Sequence, residues 1–197
     1  MDDTHASISA FLQQVSQSTM VGDDGRGGME NHTKAGVVPF MRSSPRRYYM
    51  MRPASKIAGL GDAPFQICKG TRMHYSDKLG WHDIRKPADR LPQTETLVQT
   101  ALREGIEEMG LKLNNITRLI ELGAYGFASV TTGRSKSMWL YAAEMISPND
   151  FLPAADIAAS TAECRWFGLR EFCAEGREDH RYILSDIDSK LSLFYKE

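Results

Sequence analysis

The stretch that decides the fold is residues 95–111, ETLVQTALREGIEEMGL. Thr96 and Gln99 have the spacing of a capping box, in which each side chain satisfies a backbone N–H group at the start of a helix. Gly110 is suited to end the helix in a left-handed conformation. Apolar and small residues recur between them at helical spacing and indicate one buried stripe: Val98, Ala101, Leu102, Gly105 and Met109. The stretch therefore predicts an amphipathic helix that begins at Thr96 and ends at Gly110.

Three glutamates on this helix lie close together. Glu104, Glu107 and Glu108 are three and four residues apart, so their carboxylates project from one side. Glu104 and Glu108 repel each other by about 0.2–0.5 kcal/mol, and the helix dipole disfavours anions in this half of the helix. A glutamate-rich face is often only solvated surface, but a bound cation would also explain the crowding. Such oxygen ligands suit Mg²⁺, Mn²⁺ or Ca²⁺ better than Zn²⁺.

The same stretch resembles the Nudix box, G-x5-E-x7-R-E-U-x-E-E-x-G-U, where U is a bulky aliphatic residue. Gly105 departs from it at the first aliphatic position, and Asp89 stands where the opening glycine would fall. We interpret Gly70 as the box glycine, followed by an insertion at about residues 72–90. The matching residues are Glu95, Arg103, Glu104, Glu107, Glu108, Gly110 and Leu111.

The resemblance implies a fold and a domain organisation. AGVVPF (35–40) and ECRWFGLREF (163–172) resemble the first and late strands of the family. We therefore expect an α+β fold, an α/β/α sandwich with a mixed, mainly antiparallel sheet, over residues 35–197. Residues 1–34 are interpreted as an N-terminal appendage with a short helix and a flexible linker. The residue patterns predict strands at 35–42, 46–53, 64–71, 117–130, 136–145 and 161–169, a polar loop at 72–93 and a helix at 178–195.

The resemblance also implies a chemistry, the metal-dependent cleavage of a phosphoanhydride in a nucleoside diphosphate-linked substrate. Mg²⁺ or Mn²⁺ is the expected cofactor. Arg103, Glu104, Glu107 and Glu108 are the expected catalytic residues, and Arg103 is expected to orient a glutamate. The expected metal ligands are Glu104, Glu107, Glu108, the carbonyl oxygen of Gly70, and Glu144 at the end of a late strand.

Cations outside the box are candidates for holding the substrate phosphates. Arg52, Lys69 and Arg72 are the main ones, and Arg85, Lys86 and Arg90 lie in or near the insertion. Trp81, also in the insertion, could stack on a base or pack the insertion against the domain.

Composition limits the partners and the location. The chain has 24 basic and 25 acidic residues and a net charge of −1, which disfavours long nucleic acid as the main ligand. The resemblance implies a small-molecule nucleotide as the partner. Three cysteines without a C-x-x-C motif, with no signal sequence and no membrane span, favour a cytoplasmic protein. A homodimer is compatible with this composition. The alternative is a catalytically silent Nudix-fold module that binds or senses a nucleotide. A less favoured one is a Nudix-fold isomerase of isoprenyl diphosphates, with Cys68 as its catalytic cysteine.

Overall fold

In the residues that the computed structural model describes, the chain forms four α-helices, ten strands and one short 3-10 helix. The described residues are 2–15, 20–21, 32–43, 46–53, 64–76, 80–83, 94–128, 135–148 and 164–196. The helices are α1 (Asp2–Val15), α2 (Leu97–Met109), α3 (Leu169–Glu175) and α4 (Glu178–Tyr195), with the 3-10 helix at Leu113–Asn115. The strands are β1 (Met20–Val21), β2 (Lys34–Ser43), β3 (Arg46–Pro53), β4 (Phe65–Gln66), β5 (Cys68–Thr71), β6 (Met73–Ser76), β7 (Gly80–Asp83), β8 (Ile116–Ala128), β9 (Ser135–Met145) and β10 (Arg165–Gly168).

One mixed sheet organises the domain. Its main path runs in the order β1-β8-β9-β2-β3-β10, with β4 paired to β3 and β5 paired to β2. The pairs β2–β9 and β1–β8 are parallel, and the other pairs in this sheet are antiparallel. β6 and β7 form a separate two-stranded hairpin. The sheet is therefore mixed and mainly antiparallel, as the sequence predicts.

Helices cover both faces of this sheet. Successive side chains of a strand point to opposite faces, and β9 shows the division clearly. Trp139 and Tyr141 belong to the core that also contains the buried residues of α1 and α2. Leu140 and Ala142 belong to the core that contains the buried residues of α3 and α4. The fold is thus α+β, a sandwich of helices, sheet and helices.

The partner of β2 changes along its length, which opens a fork beside α2. Residues 34–37 of β2 pair with β5, and residues 40–43 pair with β3. Pro39, which has no N–H group to donate, lies between the two pairings. A Cβ atom at Gly36 would lie 2.2 Å from the carbonyl oxygen of Cys68, so only glycine allows this approach of β2 and β5. Both β2 and β5 pack against α2.

The N-terminal helix α1 lies in the segment 1–34, where the sequence predicts a short helix, and it packs against the core of the domain. Ile8 is fully buried in the core beneath α2, and Phe11 and Leu12 pack against the same core. Burying a side chain such as isoleucine contributes about 1.5–3 kcal/mol, which holds α1 in place. Of the linker predicted to follow, residues 22–31 lie outside the described residues, whereas Met20–Val21 pairs with β8.

The insertion contains the β6–β7 hairpin, where the sequence predicts a polar loop. Its strands are held by aromatic cross-strand neighbours, which stabilise antiparallel pairs. The rings of Tyr75 and Trp81 are 5.7 Å apart, and those of His74 and His82 are 3.7 Å apart. Residues 77–79 and 84–93 lie outside the described residues.

The C-terminal helix agrees with its predicted range, 178–195. The strand predicted at 161–169 is shorter, at Arg165–Gly168, and α3 follows it directly. Residues 161–163 lie outside the described residues. Among the helices that are described, none has the length and apolar character needed to cross a membrane.

Candidate functional site

α2 presents its glutamates from a helix that is fixed at both ends. The Thr96 hydroxyl accepts a hydrogen bond from the Gln99 N–H, and the Gln99 side chain accepts one from the Thr96 N–H. Gly110 ends the helix at a φ of 70°, a left-handed conformation in which its own N–H reaches the last free carbonyls. These two caps confirm the predicted helix and fix the position of its glutamates along the sheet.

Gly105 lets α2 lie unusually close to the sheet. A Cβ atom at this position would lie 2.8 Å from side-chain carbons of both Val37 and Leu111. The bulky aliphatic residue that the box has here would therefore not fit unless the helix moved outward. The departure at Gly105 is accommodated by the position of the helix.

Arg103 is the centre of the polar network. It is 3% exposed, and its Nε donates to Glu95 Oε1 at 2.7 Å. Its Nη1 donates to Glu104 Oε1 at 2.8 Å and to Glu107 Oε2 at 2.7 Å. Its Nη2 donates to the Thr71 carbonyl oxygen at 2.8 Å. Burial alone would lower the pKa of Arg103, but the hydrogen bond and charge of Glu95, with the other two carboxylates, outweigh burial and raise the pKa. Arg103 therefore holds Glu104 and Glu107 in fixed orientations.

Glu95 anchors Arg103 from the other side. It is 1% exposed, and its Oε2 accepts from the Met73 N–H at 2.9 Å and the Thr100 hydroxyl at 3.0 Å. Burial would raise the pKa of Glu95, but hydrogen bonding and charge from Arg103 outweigh burial and lower it. Glu95 is therefore ionised at neutral pH and can only accept hydrogen bonds.

Gly70 provides the space into which Glu104 fits. A Cβ atom at Gly70 would lie 1.7 Å from the carboxyl carbon of Glu104 and 1.8 and 2.1 Å from its two oxygens. Any side chain at position 70 would displace this carboxylate. The interpretation of Gly70 as the box glycine required it to lie beside the α2 glutamates, and the structure places it directly against Glu104.

Glu108 closes the other side of the site, at the fork of the sheet. Arg52, near the end of β3, donates from Nη1 to Glu108 Oε1. The Cys68 thiol donates to Glu108 Oε2 at 3.2 Å. Burial raises the pKa of Cys68, and the charge of Glu108 raises it further. Cys68 is therefore a buried hydrogen-bond donor, which disfavours its use as the catalytic cysteine of an isomerase.

Burial and neighbouring charges together perturb the pKa of Glu104. Burial raises the pKa of Glu104 to about 7; the charge of Arg103 opposes this, and the charges of Glu108 and Glu107 add to it. A strongly perturbed carboxylate beside like charges is typical of functional sites. A divalent cation at this position would relieve the repulsion.

The residues fit a divalent cation in type and position. The side chains of Glu104 and Glu108 are 12% and 23% exposed, and they offer hard oxygen ligands. Glu104 lies against Gly70, and Glu108 lies beside Cys68. Within the described ranges, no three His, Cys, Asp or Glu side chains converge on one point. Glu104 and Glu107 are paired with Arg103, and Glu108 is paired with Arg52. A cation would therefore compete with Arg52 for Glu108.

The structure does not bring Glu144 to this group, and we correct its assignment as a metal ligand. Ala143 and Met145 face the α2 core, so Glu144 between them points to the opposite face of the sheet. There it forms an ion pair with Arg42 at 2.7 Å and accepts a hydrogen bond from the Tyr195 hydroxyl at 2.7 Å.

The predicted phosphate-binding cations lie in different environments. Arg72 donates to the Glu95 carbonyl oxygen at 2.7 and 2.9 Å and to the His32 carbonyl oxygen at 3.3 Å, so its guanidinium is used to hold the backbone. Lys69 donates to Gln66 Oε1 at 3.3 Å, and burial, followed by the charge of Arg177, lowers its pKa to about 8. The other three cations proposed from the insertion, Arg85, Lys86 and Arg90, lie outside the described residues.

Two residues of this region are missed by the sequence analysis. Lys34 donates from Nζ to the Thr71 hydroxyl at 2.9 Å. Burial, followed by the charge of Lys136, lowers the pKa of Lys34, and the charges of Glu104 and Glu108 oppose this. Its place just before AGVVPF, opposite the Lys69-Gly70 turn, is a usable signal. His5 of α1 contacts Glu95, and no local pattern indicates this because the two residues are joined only by tertiary packing.

Comparisons with known proteins agree with this arrangement. The family model of the NUDIX domain matches residues 70–187. Among curated proteins, no sequence matches this chain.

Among solved structures, the C. elegans Ap4A hydrolase is 16% identical with a TM-score of 0.55, over 81% of this chain and 98% of that one. The NUDIX domain of Shewanella oneidensis NrtR, complexed with ADP ribose, is 16% identical with a TM-score of 0.54, over 91% of this chain and 97% of that one. NrtR complexed with a 27mer DNA is 18% identical with a TM-score of 0.52, over 82% of this chain and 62% of that one. At these identities the structures show a shared fold.

Proposed function

The chain belongs to the Nudix family, and we propose that it is a hydrolase that uses Mg²⁺ or Mn²⁺ to cleave a phosphoanhydride bond in a nucleoside diphosphate-linked substrate. The observation that carries the proposal is the close contact between the Glu104 carboxylate and the backbone of Gly70, which has no side chain. Glu108 lies one helical turn from Glu104. Burying part of a carboxylate beside two others is costly, and a bound cation would offset that cost.

The proposed ligands are Glu104, Glu108 and Glu107, with the carbonyl oxygen of Gly70. When bound, a divalent ion supplies positive charge against the phosphate oxygens and acidifies water at neutral pH. Arg103 is proposed to act by orientation, since it contacts both Glu104 and Glu107 from a buried position. We leave Glu144 out of the ligand set because it lies on the other face of the sheet.

The phosphates of the substrate are proposed to contact the cations that border the glutamates. Arg52 is paired with Glu108 and could exchange this carboxylate for a phosphate when a cation takes its place. Lys34 lies close enough to Glu104 and Glu108 to interact with their charges. Lys69 precedes Gly70 in the sequence. We no longer include Arg72, whose guanidinium holds two backbone carbonyls.

A small nucleotide is the proposed partner. The net charge of −1 supports this over long nucleic acid. Cys68, Cys164 and Cys173 are free thiols, which supports the proposed cytoplasmic location. A homodimer remains a proposal that the composition allows.

The test is a turnover screen with a matched variant. Wild-type protein and Glu108→Gln are incubated with dinucleoside polyphosphates, nucleotide sugars, ADP-ribose, dinucleotide coenzymes and nucleoside triphosphates, each with Mg²⁺ or Mn²⁺, and phosphate products are measured. We expect metal-dependent release from at least one compound by wild type and a loss of orders of magnitude in Glu108→Gln. Metal-dependent binding without turnover across the panel would overturn the hydrolase and favour the nucleotide-sensing alternative.

A further inference from the structure

His5, on the N-terminal helix, contacts the polar network of α2 from outside the matched NUDIX region. Its Nε2 lies 2.7 Å from Glu95 Oε1, and the two side chains are 11% and 0% exposed. Because Glu95 is ionised and can only accept, the Nε2 atom must carry the proton of this hydrogen bond. The bond joins α1 to the residue that anchors Arg103.

The imidazole of His5 is held in place by a second contact. Its ring stacks on Trp81 of β7, with centroids 4.1 Å apart and planes 2° from parallel. Trp81 is in turn packed edge-on against Tyr75 of β6. The hairpin of the insertion therefore supports one face of His5, while Ile8 holds α1 in the core one helical turn further on. These contacts restrict the ring to the orientation that reaches Glu95.

Glu95 Oε1 is shared between His5 and the α2 network. It accepts from His5 Nε2 and from Arg103 Nε, both at 2.7 Å. The other end of the same guanidinium donates to Glu104 and Glu107 from Nη1. A displacement of Glu95 would therefore be transmitted through a rigid, planar group to the carboxylates proposed as metal ligands.

We infer that His5 is a positioning residue for the metal-binding glutamates, acting through Glu95 and Arg103, with the Trp81 hairpin as its support. The inference rests on the proposed function for the role of the glutamates. It assigns to α1 and the insertion a part in building the site.

The test compares three variants of the full chain. His5→Ala removes the donor to Glu95. His5→Gln restores a neutral N–H donor at a similar reach. Ser7→Ala is the matched control, because Ser7 lies on the same helix, is exposed, and bonds only within α1 in its described contact to the Asp3 carbonyl oxygen.

Two measurements are made, and neither requires turnover. The first is the exchange rate with water of the Arg103 Nε–H proton, by NMR on metal-free protein. The second is the dissociation constant for Mn²⁺, by electron paramagnetic resonance. In His5→Ala we expect about tenfold faster exchange and about three- to tenfold weaker Mn²⁺ binding, smaller than the 10–100-fold typical of a direct partner of a ligand because His5 acts one residue further away. His5→Gln should return both values to within about twofold of wild type, and Ser7→Ala should leave both unchanged.

An Arg103 exchange rate that is the same in His5→Ala and wild type would overturn the inference, since another donor would then be holding Glu95. Failure of His5→Gln to restore either value would also overturn it, because the effect would then come from packing of α1. Absence of turnover or of Mn²⁺ binding in wild type would count against the proposed function, whereas the Arg103 measurement would still decide whether His5 fixes this side chain.

Discussion

Glutamates lie on both faces of the same sheet, four on one face and Glu144 on the other, and their charge balance differs. On the α2 face, Glu95, Glu104, Glu107 and Glu108 are paired with two guanidinium groups and one imidazole. On the α4 face, Glu144 is paired with Arg42 and accepts a hydrogen bond from Tyr195. The charge of Glu144 is thus balanced by that of Arg42. In the first group, four carboxylates share two guanidinium groups and one imidazole through ion pairs, and this crowding is where we propose that a further cation binds.

The sharpest test of this contrast is to remove one guanidinium from each face. Arg103 and Arg42 differ in burial, with side chains 4% and 42% exposed. Arg103→Met leaves Glu95 buried without its guanidinium partner and should lower the free energy of unfolding by about 3–5 kcal/mol. Arg42→Met should cost about 0–1 kcal/mol, because its ion pair is exposed to solvent. Urea unfolding of both variants measures the difference.

A double variant separates charge from packing in this first test. Arg103→Met combined with Glu95→Gln removes the uncompensated charge and should recover part of the lost stability. If the double variant is no more stable than Arg103→Met, the cost comes from packing and the charge argument fails.

Removing one carboxylate from each face tests function in place of stability. Glu104→Gln should lower kcat about 10³-fold, because the divalent ion that Glu104 is proposed to hold would supply several kcal/mol of charge stabilisation. Glu144→Gln should change kcat by less than about twofold, since it lies away from the site. Steady-state kinetics on the substrate found by the panel give both values. An equal loss of kcat in the two variants would contradict the placement of the active site on the α2 face alone.

Gly70 offers a narrower test, because it perturbs the position of Glu104 without removing its charge. Gly70→Ala places a methyl group where the Glu104 carboxylate lies, and a displacement of this size should lower kcat about 10²-fold. Gly126→Ala is the control, since a Cβ atom there would meet nothing within 4 Å. Wild-type activity in Gly70→Ala would mean that turnover does not depend on the position of the Glu104 carboxylate against Gly70.

The smallest expected effect is stabilisation by the cation itself. A ligand at 100 times its dissociation constant raises the free energy of unfolding by about 2.7 kcal/mol. We expect Mg²⁺ or Mn²⁺ to raise the melting temperature of wild type and of Glu144→Gln, and to have a much smaller effect on Glu108→Gln. A rise that is the same in all three proteins would place the cation elsewhere on the chain.

The α2 side of the molecule could be predicted from sequence because its information is local. The capping box, the left-handed Gly110 and the spacing of three glutamates all lie within one helix. The proximity of Gly70 to Glu104 depends on a longer interval, and the resemblance to the Nudix box supplied it.

The remaining features depend on contacts between distant segments. Residue alternation along β9 determines the face of Glu144, and a strand-end position alone does not show it. The docking of α1 depends on Ile8 reaching a core built mainly from residues beyond position 34. The hairpin depends on pairs such as Tyr75 and Trp81, whose flanking polar and proline residues favour a loop when considered locally.

The docking of α1 beside α2 affects how the protein should be purified. A polyhistidine tag placed ahead of α1 would bring several imidazoles near Glu95 and the α2 glutamates, where they could bind transition metals. Apparent affinities measured on such material would combine tag and protein. A tag added after α4 would be attached to the helix that ends beside Glu144, on the far side of the sheet, and would leave the glutamate cluster undisturbed.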